Sequence, residues 1–197
     1  MSDEPGSSPA SIEVAVPDAA WDACVADAEA TVIRVAEACL RRALPAAAAG
    51  VPLEVSFVLA DDEVVRALNA RHRAQDKPTN VLSFPAVDWL GASGRAALRP
   101  AEGARGDAPL LLGDVVVARE TLLAEAAEQG KAPGDHLAHL AAHGVLHLLG
   151  YDHETDAQAA IMEALEVSIL ETFGIADPYA AQRCAAPEVQ DRNARKP

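Results

Sequence analysis

Hydrophobic and polar positions follow two periods along this chain. Ser11 to Val16, SIEVAV, alternates apolar and polar residues and predicts a first strand. Asp18 then opens a helical pattern over residues 19–44, closed by Pro45. Residues 52–60, PLEVSFVLA, predict a second strand, and Asp61 or Asp62 caps a short helix running to about residue 70. A polar stretch, RHRAQDKPTN, leads into VLSFPAV, a third strand ended by Pro85. Residues 110–118, LLLGDVVVA, predict a fourth. Three helices follow: Glu120 to Gly130, a strongly apolar one from Asp135 to Leu149 ended by Gly150, and a last one over about 155–173. Strands and helices mix without a regular βαβ period. The class is therefore α+β: one small mixed sheet of about four strands packed against several helices.

Three segments fall outside that pattern. Residues 1–10, rich in Ser, Pro and acid, read as a disordered tail, and 181–197 as a flexible one. Residues 90–108 form a long Gly-, Ala-, Arg- and Pro-rich loop. What remains, 11–180, is a single catalytic domain.

Composition narrows the setting. Half of the 197 residues are hydrophobic, enough for a packed core. No apolar run approaches the ~18 residues of a membrane span. The first residues lack the basic and apolar regions of a secretory signal. The three cysteines, Cys24, Cys39 and Cys184, are widely spaced and form no CxxC pair. These features point to a reduced, cytoplasmic protein with no membrane partner. The formal charge of −14 argues against a broadly basic nucleic-acid surface. An acidic protein still reaches RNA when its few cations gather at one cleft.

The candidate chemistry lies in the apolar helix. Five of the six histidines fall between residues 136 and 153. His136, His139, His143 and His147 stand at offsets of 3, 4 and 4, on one helical face. His143 and His147 can share one metal ion. Gly150 permits a left-handed turn, which brings His153 round as a third ligand. Three neutral ligands leave a fourth position open, as in catalytic zinc sites. His136 and His139 read as supporting or packing residues, with His139 the rival ligand should His153 fail; His72 reads as a surface residue. The metal expected is zinc, one per chain. The spacing H-x3-H-x2-G-x2-H is that of the metzincin proteases, which carry Glu after the first histidine. Here that position is Gly144, so a metal site is supported and the protease mechanism is not. Gly144 costs a helix interior roughly 1 kcal/mol, which implies a close approach to the backbone there, by substrate or by a packed strand.

HGVLHLLGYDHETD resembles the signature of the YbeY family of rRNA-maturation endoribonucleases. LNARHRAQDKPTNVLSFP (68–85), LLGDVVVA and MEALE (162–166) match it too, together covering about residues 50–180. The resemblance implies an α+β fold, zinc on His143, His147 and His153, and a role in 16S rRNA 3′-end processing and ribosome quality control. It also implies an arginine important for activity, at Arg73. Independently, Arg71, Arg73 and Lys77 place three cations in seven residues of an acidic chain, and a guanidinium binds phosphate through paired hydrogen bonds. The expectation is a zinc-dependent, single-strand-specific endoribonuclease with catalytic residues Arg73, His143, His147 and His153. Its partners would be single-stranded RNA or rRNA, with ribosomal proteins or the small subunit. Asp152 and Glu154, and less so Asp114, are candidate bases. Two rivals remain: a zinc protease or other metal-dependent hydrolase, and a non-catalytic zinc-containing assembly factor.

Overall fold

The computed structural model describes residues 10–48, 50–89, 109–180 and residue 183. The segments read as a disordered tail, a long loop and a flexible tail lie outside the described residues, apart from Ala10 and Arg183. Four strands form one sheet: β1 (Ala10–Ala15), β2 (Leu53–Ala60), β3 (Val81–Pro85) and β4 (Leu110–Ala118). Their order is β1-β2-β4-β3. β1, β2 and β4 run parallel, and β3 pairs antiparallel to β4 along one edge. The sheet is mixed and the fold α+β.

Six α-helices accompany it among the described residues: α1 (Ala20–Cys24), α2 (Ala28–Ala43), α3 (Asp62–Arg73), α4 (Arg119–Glu128), α5 (Pro133–Leu148) and α6 (Asp156–Glu171). The period-two pattern of β2 sends Leu53, Val55, Phe57 and Leu59 to one face. There they join Val115 and Val117 of β4 and the apolar sides of α2, α5 and α6 in the main core. The other face carries a smaller cluster, in which Val65 of α3 meets Ala60, Leu82, Val116 and Ala118. α5 is thus sealed against sheet and helices alike, with ten buried positions between His136 and Leu148. Of its four histidines, His136 is buried and His139, His143 and His147 are half-buried.

Two helix boundaries differ from the sequence pattern. The single helix expected over 19–44 is two, because the backbone of Asp27 turns left-handed at φ 53°, a conformation that a short polar side chain tolerates. The fully buried Trp21 fixes the direction of the first piece, its indole N–H donating to the Ala60 carbonyl at 3.1 Å. The helix expected to stop near residue 70 runs to Arg73. Its N-cap is Asp61, whose side chain accepts from the Val64 N–H at 2.9 Å. Arg71, His72 and Arg73 fill its last turn, where cations complement the negative end of the helix dipole.

Candidate metal centre and its cavity

α5 begins with Pro133 in its first turn, a position suited to proline's fixed φ and missing N–H. It ends in a Schellman turn, with the Gly150 N–H bonded to the His147 carbonyl and the Tyr151 N–H to that of Leu146, each at 3.0 Å. Gly150 sits at φ +87°, and a Cβ there would stand 2.9 Å from the Trp89 ring. Trp89 also takes up the Leu148 carbonyl through its indole N–H at 2.6 Å. This closed end aims the chain back so that His153 returns to α5. Ring centroids lie 4.5 Å apart for His143–His147, 5.4 Å for His143–His153 and 5.1 Å for His147–His153. One nitrogen from each of the three lies within 4.8 Å of the others, so the three could hold a metal ion.

The hydrogen bonds test whether such an ion fits. His147 Nδ1 lies 3.0 Å from the Tyr151 carbonyl, which has no proton to give, so Nδ1 carries the hydrogen. His143 Nδ1 donates to Glu166 Oε1 at 2.8 Å. Both Nε2 atoms are therefore left as acceptors, yet they face each other at 3.0 Å. Two lone pairs so placed repel unless a cation lies beside both. Two nitrogens bound tetrahedrally to zinc stand about 3.3 Å apart. The donor set suits the ion. Burial, reinforced by the charges of His143 and His153, pushes the His147 pKa down to about 4, which keeps that ring neutral and able to ligate.

Behind the pair stands Glu166, with no solvent exposure. Burial alone would raise its carboxyl pKa, but hydrogen bonds from His139 and His143 outweigh burial and hold it at about 2. His139 Nε2 lies 3.3 Å from Glu166 Oε2 and 3.1 Å from the Tyr179 hydroxyl, and that hydroxyl also donates to Oε2. His139 is thus committed to Glu166, and His153 completes the group of three that could hold an ion. His136 Nε2 meets Glu125 Oε2 at 2.8 Å, and Glu125 accepts from the Asn80 amide at 2.9 Å.

A cavity of about 410 Å³ opens beside the histidines, lined by Arg73, Asn80, Ser83, His143, His147 and His153 among others. Asp152 and Glu154 reach it too. Arg73 is the last residue of α3, and the loop after it is pinned twice. The Asn69 amide donates to the Lys77 carbonyl at 2.8 Å, and Arg66 pairs with Asp76 through contacts of 2.7 and 3.0 Å. Arg73 is exposed and makes no hydrogen bond or ion pair among the described residues. Ser83 faces α5 and donates to the Gly144 carbonyl at 3.3 Å. His72 is exposed, its ring 5.1 Å from that of Phe84.

Other expectations resolve differently. Asp114 pairs with Phe84 in mid-strand, exposed and outside the cavity lining. Gly144 is approached by a strand: a Cβ there would lie 2.6 Å from Val115 Cγ1 and 3.3 Å from Ser83 Oγ. The sequence reading also passed over Glu166, Tyr179 and Trp89. Glu166 had a visible signal, an acid among the core positions Met162, Ile169 and Leu170 of α6. Tyr179 and Trp89 had none.

A family model described as Endoribonuclease YbeY matches residues 21–174. An Endoribonuclease YbeY of Rhodospirillum rubrum is 54% identical over 143 residues, covering 73% of this chain and 66% of that protein. One from Paramagnetospirillum magneticum is 48% identical over 174 residues, covering 87% of this chain and 96% of that protein. Among solved structures, the solution structure of TM1509 from Thermotoga maritima superposes with a TM-score of 0.50 at 19% identity, covering 94% of this chain and all of that one. That likeness concerns the fold.

Proposed function

The chain belongs to the YbeY endoribonuclease family, and from that membership we propose that it is a zinc-dependent, single-strand-specific endoribonuclease. Its place would be the cytoplasm, in 16S rRNA 3′-end maturation and ribosome quality control, with the small ribosomal subunit or its proteins as partners. No helix among the described residues is long and apolar enough to cross a membrane.

One observation carries this reading: three histidines able to share an ion and an arginine without a partner among the described residues line one cavity. His143, His147 and His153 would hold the zinc. When bound, the ion would polarise a phosphate oxygen and lower the pKa of water. Arg73 would grip the scissile phosphate and offset the charge developing on it. Asp152 accepts the His153 backbone N–H at 2.8 Å; it would orient the loop that carries His153, and it and Glu154, both in the cavity lining, are the candidates for taking a proton. The protease reading loses support at Gly144, where Val115 occupies the space that an acid following His143 would need.

Metal content of the purified protein, followed by cleavage of single-stranded RNA with chelator and after zinc is restored, tests the proposal. Cleavage should vanish and return. His147→Ala should lose zinc and cleavage together, and Arg73→Glu should keep zinc while losing cleavage. A metal-free protein that cuts RNA at full rate refutes the zinc assignment. A zinc-loaded protein that never cuts RNA leaves the assembly-factor reading in its place.

A further inference from the structure

The four histidines of α5 divide into a front row, His143 and His147, and a rear row, His136 and His139. Each rear histidine clasps a carboxylate that also holds a residue of the cavity wall. Glu125 holds Asn80. Glu166 holds His143, through Nδ1 at 2.8 Å. Glu166 is wholly enclosed, and three donors converge on it: the His143 and His139 rings and the Tyr179 hydroxyl. A carboxylate removed from water needs such donors to remain ionised. Its effect on His143 is directional. A proton fixed on Nδ1 leaves Nε2 bare and turned toward His147 Nε2.

We propose that Glu166 is the positioning residue of the metal centre, fixing the tautomer and aim of His143, and that Tyr179 and His139 hold its carboxylate in the orientation that does so. The proposal rests on the zinc reading above. Tyr179 lies beyond residue 174, where the family match ends. Its segment is tied down by Lys131 Nζ, which donates to the Pro178 carbonyl at 3.1 Å, and by Arg183, which meets Asp177 at 2.8 Å. The stretch after the last helix thereby becomes part of the metal centre.

Full-length wild type, Glu166→Gln, Tyr179→Phe and the double variant are compared in three measurements. These are Zn²⁺ affinity by chelator competition, the His143 tautomer by ¹⁵N–¹H correlation in metal-free protein, and the unfolding midpoint of the same samples. Glu166→Gln should bind Zn²⁺ about 10–100-fold more weakly, the usual effect of losing such a partner. Its His143 signals should move from the Nδ1–H form toward a mixture. Tyr179→Phe should weaken binding in the same direction and by less, and the double variant should bind no worse than Glu166→Gln alone. Tyr179→Phe removes a single hydroxyl, so it decides the matter alone should Glu166→Gln fail to fold. Folded variants with wild-type Zn²⁺ affinity and an unchanged His143 tautomer overturn the positioning role. A wild type that takes up no Zn²⁺ overturns the zinc reading, and this proposal with it.

Discussion

Gly144 shows how one missing side chain decides between mechanisms. An alanine there gains about 1 kcal/mol of helix propensity. It also drives a Cβ to 2.6 and 3.1 Å from the two methyl groups of Val115, a β-branched side chain with little freedom to turn aside. Overpacking of this kind costs about 1–3 kcal/mol, so the clash outweighs the gain. Gly144→Ala is expected to destabilise the protein by up to about 2 kcal/mol in urea unfolding, the cost less the gain; a variant more stable than wild type would show that α5 can move off the sheet. At this scale the grouping of His143, His147 and His153 was legible, because the three are brought together by helix geometry and one glycine turn, all local in sequence. Glu166 was harder to assign, since its partner His143 lies 23 residues away across a helix pair. Tyr179 reaches back 40 residues to His139, a distance that no local pattern encodes.

The elements carry the site through their ends. All four strands stand within one residue of their sequence pattern, because alternation and flanking prolines are local signals. The break at Asp27 was invisible, since no glycine or proline marks it and the indole anchor on Ala60 lies 39 residues away. α5 ends at Gly150, and Gly150→Ala meets two obstacles: a left-handed backbone costing about 1–2 kcal/mol, and the Trp89 ring at 2.9 Å. The turn delivers His153, so this substitution should lower zinc affinity as well as stability. Chelator competition beside urea unfolding separates the two, and an unchanged affinity would mean that His153 reaches the cluster without this turn. The rear of α5 makes a pH prediction. Burial lowers the pKa of His136 below the usual 6.5; Glu125 opposes that shift, while His139 and Lys131 add to it. The unfolded chain therefore binds a proton that the folded one refuses, and the stability contributed above pH 6.5 is lost as the pH falls below it. In metal-free protein, His136→Gln keeps a donor for Glu125 and should flatten the fall in urea midpoint between pH 7.5 and 5.5. An identical slope in both proteins would remove His136 as its source.

At the scale of the whole molecule, a chain of charge −14 must approach a polyanion. General repulsion confines RNA contact to the few places where cations cluster. Among the described residues the end of α3 is such a place, with Arg71 and Arg73 in its last turn and Lys77 in the loop after it; of the three, Arg73 lines the cavity. Each phosphate neutralised on a single strand contributes a slope of about −0.7 to log affinity against log salt. Three cations then give about −2, shallow for a nucleic-acid protein. Anisotropy of a labelled single-stranded RNA on metal-stripped protein measures that slope. Lys77→Gln should reduce its magnitude by about 0.7 while leaving the zinc content of purified protein unchanged. A slope of about −5 would correspond to about seven neutralised phosphates. Cations elsewhere would then carry much of the contact, Arg95, Arg99 and Arg105 among the candidates. A shallow slope would leave affinity low, and on the reading proposed above a basic partner docked against this acidic chain would then bring the RNA to the cavity.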